Sequence, residues 1–343
     1  MPRLPLTSLP AFASLLAFAA LAPASALAQP AAPAYAVTAR IKIPDGGFDY
    51  ASFDPVHRRL YVSRTGGVTA VDVDSGAVTG RLIEAQRTHE SLILDDGATL
   101  LVTDSGTSSA HMVDALSGKP LAEIATGQKP DGAVFDAHSG LALVMNGASG
   151  DVTLIDPKSR KAVGSIAIGG GLEFPAVDGA GRGFVNIEDQ NQIGVFDIAA
   201  RKLVGHYALK GCDGPTGLAY IPEAGVLISA CDNRVAKVIR ASDGADLATL
   251  AIGKGPDAVI YDPERRLAFI PCAWDGVMNV LAVRGPGDVA VVGTVKTQPG
   301  ARTGALDEKT GRLYLPTARY ALQPGAKPTP QPGTFEILVV EPR

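Results

Sequence analysis

Beyond residue 45 the chain alternates short apolar runs with polar turns at a nearly constant spacing. One recurring strand closes on an apolar residue followed, in most copies, by aspartate: Phe53-Asp54, Leu94-Asp95, Phe135-Asp136, Val177-Asp178, Tyr220-Ile221, Tyr261-Asp262 and Leu306-Asp307, at intervals of 41, 41, 42, 43, 41 and 45 residues. A short turn follows each, then a β-rich run such as Leu60-Tyr61-Val62-Ser63, Leu141-Ala142-Leu143-Val144 or Leu267-Ala268-Phe269-Ile270. Runs of this length between turn residues read as the strands of hairpins. A third strand ends in Val71-Asp72, Val113-Asp114, Ile155-Asp156 or Phe196-Asp197, commonly before a turn such as Ser75-Gly76, and a fourth follows. Four strands repeated seven times at this period predict an all-β, seven-bladed propeller with four-stranded blades.

The two ends of the chain have complementary deficits. The last repeat stops at its third strand, Phe335 to Val340, while Tyr35 to Ile43 has the character of a fourth strand without a blade of its own. Pairing them closes the ring and protects two edges, so residues 35–43 are expected in the last blade and 35–343 as one propeller domain. Ahead of it, Arg3, the apolar run Leu15 to Ala22 and the small-residue pattern Ala26-Leu27-Ala28 read as a signal peptide over 1–28, with 29–34 a flexible leader. The expected setting is periplasmic or secreted.

Composition narrows the partners. With 46% hydrophobic and 19% charged residues the chain is too apolar for disorder, and its 39 glycines fit many tight turns. A formal net charge of −4 provides no basic field for nucleic acid. After signal removal no stretch is long and apolar enough to span a bilayer. A ring of blades buries its own faces, so a monomer is expected.

The segments Leu60-Tyr61-Val62-Ser63-Arg64 and Leu141-Ala142-Leu143-Val144-Met145-Asn146-Gly147, each leading to an apolar-Asp strand end and a Ser-Gly turn, resemble the YVTN repeat of the YncE-like exported propellers. Gly46 to Tyr50, Val185 to Asp189, Cys212 to Ala219 and Gly300 to Thr303 are similar to that family as well. The resemblance covers the whole mature chain and implies a seven-bladed propeller whose ligand site lies at the channel mouth. It implies no particular reaction.

In a propeller the innermost strand starts at the same face as the loop after the second strand. Aligned repeats place Asp49, Glu90, Asp131, Glu173, Thr216, Asp257 and Arg302 at equivalent channel-mouth positions, with Tyr50, Asn186 and Glu188 nearby. Five of those seven are carboxylates. Converging carboxylates and amides suit a hard divalent cation, for which Glu90, Glu173, Asn186 and Asp257 are the candidate ligands. Without a metal, crowding raises carboxyl pKa values and creates acid/base candidates. Arg302 is placed to hold a substrate carboxylate or to neutralise its neighbours. The competing reading is structural, with ring acids bonding the backbone of adjacent blades.

Of the five histidines only His89 borders the ring, which makes it the candidate general base or metal ligand. His57 and His138 fall in turns at the opposite face, and His111 and His206 lie in outer strands. No Cys-x-x-Cys-His haem site, His-Glu-x-x-His zinc motif or phosphate loop is present. Cys212 and Cys231 bracket one hairpin and are expected to form a disulfide in an oxidising compartment; Cys272, at the position equivalent to Cys231 in the next blade, leaves a Cys231–Cys272 bridge or a copper site as the alternatives. Residues 318–334, holding four prolines, are an insertion over the same face: a lid or a tolerated loop.

Three functions follow. A module binding a small molecule or protein through the funnel face comes first, because no nucleophile-base-orienter triad is legible. A metal-dependent hydrolase of lactonase or esterase type comes second, with His89 or a neighbouring carboxylate as base. A quinone-cofactor dehydrogenase relative comes third, on architecture alone.

Overall fold

Aspartate at a strand end does the same work in most of the repeats. After the innermost strands, the buried Asp54 accepts the Val56 N–H at 2.9 Å, Asp136 the Ser139 N–H at 2.9 Å and Asp262 the Arg265 N–H at 3.0 Å. After the third strands, Asp72 and Asp114 each accept a serine N–H at 2.8 Å, from Ser75 and Ser117. Each carboxylate thus substitutes for backbone partners that a tight turn cannot supply. The strand ends are therefore encoded locally, and the repeat in the sequence is a repeat of turns.

The structure, a computed structural model, describes residues 1–2, 34–321 and 328–343. The expected signal peptide over 1–28 and most of the leader over 29–34 lie outside them. The described chain from residue 34 is almost wholly strands, arranged as a β-propeller. Strand pairing within each sheet is antiparallel and mostly sequential, from the innermost strand outward. Apolar clusters fill the gaps between neighbouring sheets: Val226, Ile228 and Val238 of one pack with Ala268, Ile270 and Leu281 of the next, all fully buried. The ends meet as the complementary deficits require. Strand Tyr35–Lys42 pairs antiparallel with Glu336–Pro342 and completes the sheet of the last repeat.

Blade number departs from the expected seven. Counted as hydrogen-bonded sheets there are six among the described residues, five of four strands and one of six, besides a two-stranded hairpin. The six-stranded sheet takes in the first two repeats because two of its strands are long. Strand Arg59–Asp72 folds back on itself at Gly66 and Gly67, so that the Val73 N–H reaches the Arg58 carbonyl at 3.0 Å. Gly67 has φ +139°, and a Cβ there would lie 1.9 Å from the Ile83 carbonyl oxygen, so only glycine allows the tight reversal. Strand Val78–Leu94 then pairs by its first half with Thr65 to Val71 and by its second half with Thr99 to Asp104. It carries the outermost strand of the first repeat and the innermost of the second without a break.

The expected disulfide is present, joining Cys212 and Cys231 with Cα atoms 5.6 Å apart, and Cys272 is a buried free thiol. In the 318–334 insertion, Tyr320–Ala321 pairs with Thr329–Pro330 as a small hairpin. No helix among the described residues is long and apolar enough to cross a membrane.

Candidate functional site at the funnel face

The innermost strands begin at the funnel, and one position decides its depth. Tyr50 is buried and meets Phe174 from the opposite side of the ring, with ring centroids 4.9 Å apart. Their contact lies across the axis, one residue below the acidic positions, and gives the funnel an aromatic floor at that level. Burial, first, and then the charges of Asp257, Asp131, Glu173 and Asp49 hold the Tyr50 hydroxyl well above its ordinary pKa, as a neutral phenol.

Above that floor acidic and basic side chains alternate in a continuous chain. Glu173 lies 4.0 Å from Lys129, Lys129 lies 3.3 Å from Asp131, and Asp131 lies 3.5 Å from His89 Nδ1. His89 Nδ1 lies 2.6 Å from Asp49, Asp49 lies 3.5 Å from Arg302, and Arg302 Nε lies 2.7 Å from Asp257. That last pair falls outside hydrogen-bond geometry, and Arg302 donates instead to the Phe48 carbonyl at 3.2 Å. Lys129 has no counterpart in the sequence-based ring. It sits two residues before Asp131, and only the fold shows that it bridges two repeats.

Electrostatics follow from this chain. Burial pushes the Glu90 carboxyl up to about 8, against the bond it accepts from the Ser91 N–H, with Asp49 and Asp131 adding to the rise. Glu173 and Asp257 are raised chiefly by burial, Glu173 also by neighbouring carboxylates, while Lys129 and Arg302 respectively oppose the rise. Burial by itself works against a charged His89. The Asp49 hydrogen bond and the Asp131 and Asp49 charges outweigh it, so the net direction is upward.

The expected metal set is not the one that converges. Asn186 donates to the Thr216 and Gly217 carbonyls at 2.8 and 3.0 Å and accepts from Ser229 Oγ at 3.0 Å, so its whole amide is spent between neighbouring sheets. Thr216 likewise bonds the Pro256 carbonyl at 3.0 Å. Glu188 is exposed at the rim. The group whose donor atoms do come together is Asp49, His89 and Asp131, all within 4.8 Å of one another. These three could hold a cation through two carboxylate oxygens and an imidazole nitrogen.

Sequence reasoning missed Ser105. Its hydroxyl lies 2.9 Å from His89 Nε2, on the side of the ring away from Asp49. The signal available was its place directly after Asp104, a second-strand terminus. Asp104 is buried and accepts the Gln86, Arg87 and Gly106 N–H groups at 2.8, 2.9 and 2.9 Å, which fixes both loops around Ser105. Beside His89 opens a cleft of about 350 Å³, with Phe48, Asp49, Arg87, His89, Arg302 and Tyr320 among its walls. The Arg87 guanidinium makes no ion pair or hydrogen bond among the described residues. Trp274, 42% exposed, stands edge-on to Tyr320 at a centroid distance of 6.0 Å.

Comparison with known proteins places the fold. No protein-family model matches the sequence, and no curated protein does. Among solved structures the chain is similar to Kuenenia stuttgartiensis hydrazine synthase, at 18% identity and TM-score 0.71 over 80% of this chain and 94% of that one. It is similar to a chain of a mitotic checkpoint complex at 15% identity and TM-score 0.70, covering 98% of each, and to U3-55K at 11% identity and TM-score 0.75, covering 88% of this chain and 98% of that one. At such identities the likeness is one of architecture, and on that footing the chain is a β-propeller.

Proposed function

We propose that this propeller is a binding module of an exported protein, and that its funnel-face cleft takes a small organic anion bearing an apolar or aromatic group. The observation that carries the reading is the Arg87 guanidinium, free of protein partners among the described residues, beside Arg302 in a cleft walled by Phe48 and Tyr320. A guanidinium receives a carboxylate in two parallel hydrogen bonds, and aromatic walls bury the remainder of such a ligand. The ring acids repel it little, because burial raises the Glu90 carboxyl to about 8 and the Glu173 carboxyl to about 9, which keeps them largely protonated near neutral pH, and Lys129 and Arg302 are interleaved among the rest. Export and membership of the YncE-like family are part of the proposal. The Cys212–Cys231 disulfide supports an oxidising compartment.

The test uses the mature protein with benzoate and phenylacetate against benzylammonium, read by calorimetry and thermal shift. Saturable binding of the acids, weakened about tenfold or more in Arg87→Ala, is the expected result, a loss of ~1.4 kcal/mol or more. Equal binding of benzylammonium, or no binding of either acid, overturns the reading.

One observation favours a second reading, a divalent-cation site serving a hydrolase: the convergence of Asp49, His89 and Asp131. Elemental analysis of natively purified protein tests it. About one equivalent of metal, lost in Asp131→Asn, supports it, and a metal-free protein sets it aside. The quinone-cofactor reading rests on architecture alone and is not carried further.

A further inference from the structure

Asp49, His89 and Ser105 come from three separate segments of the first two repeats, and their order in space is specific. Asp49 Oδ2 lies 2.6 Å from His89 Nδ1, and His89 Nε2 lies 2.9 Å from Ser105 Oγ. A proton on Nδ1, held by the carboxylate, leaves the Nε2 lone pair free to accept from the serine hydroxyl, for which it is a nearer acceptor than the Arg87 carbonyl at 3.3 Å. That is the geometry in which an imidazole activates an alcohol: base within reach of nucleophile, and the base oriented by a third group. The imidazole is nearly buried, at 6% side-chain exposure, so its orientation is fixed, whereas Ser105 is partly open to solvent. The Arg87 carbonyl accepts the Ser105 N–H at 2.9 Å, and Arg87 lines the same cleft as His89.

We propose that Ser105, His89 and Asp49 form a serine nucleophile, general base and orienting carboxylate that cleave carboxylic esters with small acyl groups. The reaction balances without a co-reactant beyond water. Ser105 Oγ attacks the acyl carbon while its proton passes to His89 Nε2. The bond from that carbon to the alcohol oxygen then breaks, and the Nε2 proton goes to the departing alkoxide. Water attacks the acyl-serine with its proton taken by His89, which returns the free hydroxyl and releases the acid. Arg87, which lines the cleft beside His89, is assigned the stabilisation of the negative charge developing on the acyl oxygen.

This activity goes beyond the binding reading and does not depend on it. It also differs from the metal reading, because a cation on His89 Nδ1 would displace the proton shared with Asp49. The experiment is therefore run on chelator-treated mature protein. Diisopropyl fluorophosphate should add one phosphoryl group, which peptide mapping places on Ser105, and 4-nitrophenyl acetate should be hydrolysed with an initial burst. Ser105→Ala should abolish both while retaining the wild-type Tm. His89→Gln should slow labelling at least about 100-fold, the scale of a lost general base. A label on another residue, unchanged turnover in Ser105→Ala, or no labelling at all overturns the proposal. Benzoate binding measured in Ser105→Ala reports separately on the binding reading.

Discussion

Glu90 shows how a single residue in the funnel trades stability for charge. Its carboxyl is buried, and its pKa rises from 4.5 to about 8. The unfolded chain releases this proton at lower pH than the folded one, so the folded state loses stability as pH climbs from about 4.5 towards 8 and keeps it fully only below that window. Glu90→Gln retains an amide oxygen for the Ser91 N–H and removes the ionisation. In chelator-treated protein it should raise stability by ~1–3 kcal/mol at pH 7.5 and leave it unchanged at pH 4, as read by thermal unfolding at the two pH values. A gain of equal size at both would assign the effect to packing rather than charge. At this scale the sequence exposed the acids but not their partners. Asp49 and Asp131 were legible as ring positions because the repeat aligns them, and His89 as the residue bordering Glu90, whereas Lys129 and Ser105 also sit beside aligned positions and went unread, because there side-chain direction decides.

Individual elements are joined by residues that the repeat pattern assigns to the site. Asn186 ends a second strand, a position expected to face a ligand, yet the amide spans the gap to the next sheet with three hydrogen bonds. Asn186→Ala strands two buried carbonyls and a serine hydroxyl and leaves a void. It should cost ~2–4 kcal/mol by chemical denaturation without altering ligand affinity. A neutral result would mean that neighbouring sheets hold without this clasp. Turn positions, by contrast, were legible from the recurring apolar-Asp strand ends, because most of those aspartates act on N–H groups only two or three residues ahead. The fusion of the first two repeats into one sheet was not legible. It depends on how tightly Gly66 and Gly67 let the chain reverse against Ile83.

Over the whole molecule, stability is shared around a ring that one strand closes. The pairing of Tyr35–Lys42 with Glu336–Pro342 spans nearly the full length of the chain. Without it the last sheet presents an open edge of unpaired backbone groups. A chain beginning at Asp45 should lose its single sharp unfolding transition and aggregate, measured by calorimetry with light scattering, and a wild-type melting profile would show that closure is dispensable.

The sequence by itself determined the period, the strands, the turns, the pairing of the ends and the Cys212–Cys231 disulfide, because each depends on short-range geometry or on a simple count. It also marked the face where the ionisable groups would gather. Only the tertiary structure decided that Tyr50 meets Phe174 across the ring, that acidic and basic side chains alternate above them, and that Ser105 meets His89. Those contacts join segments from different repeats, and the distances between such segments are set by how sheets pack around the axis, which no local pattern encodes.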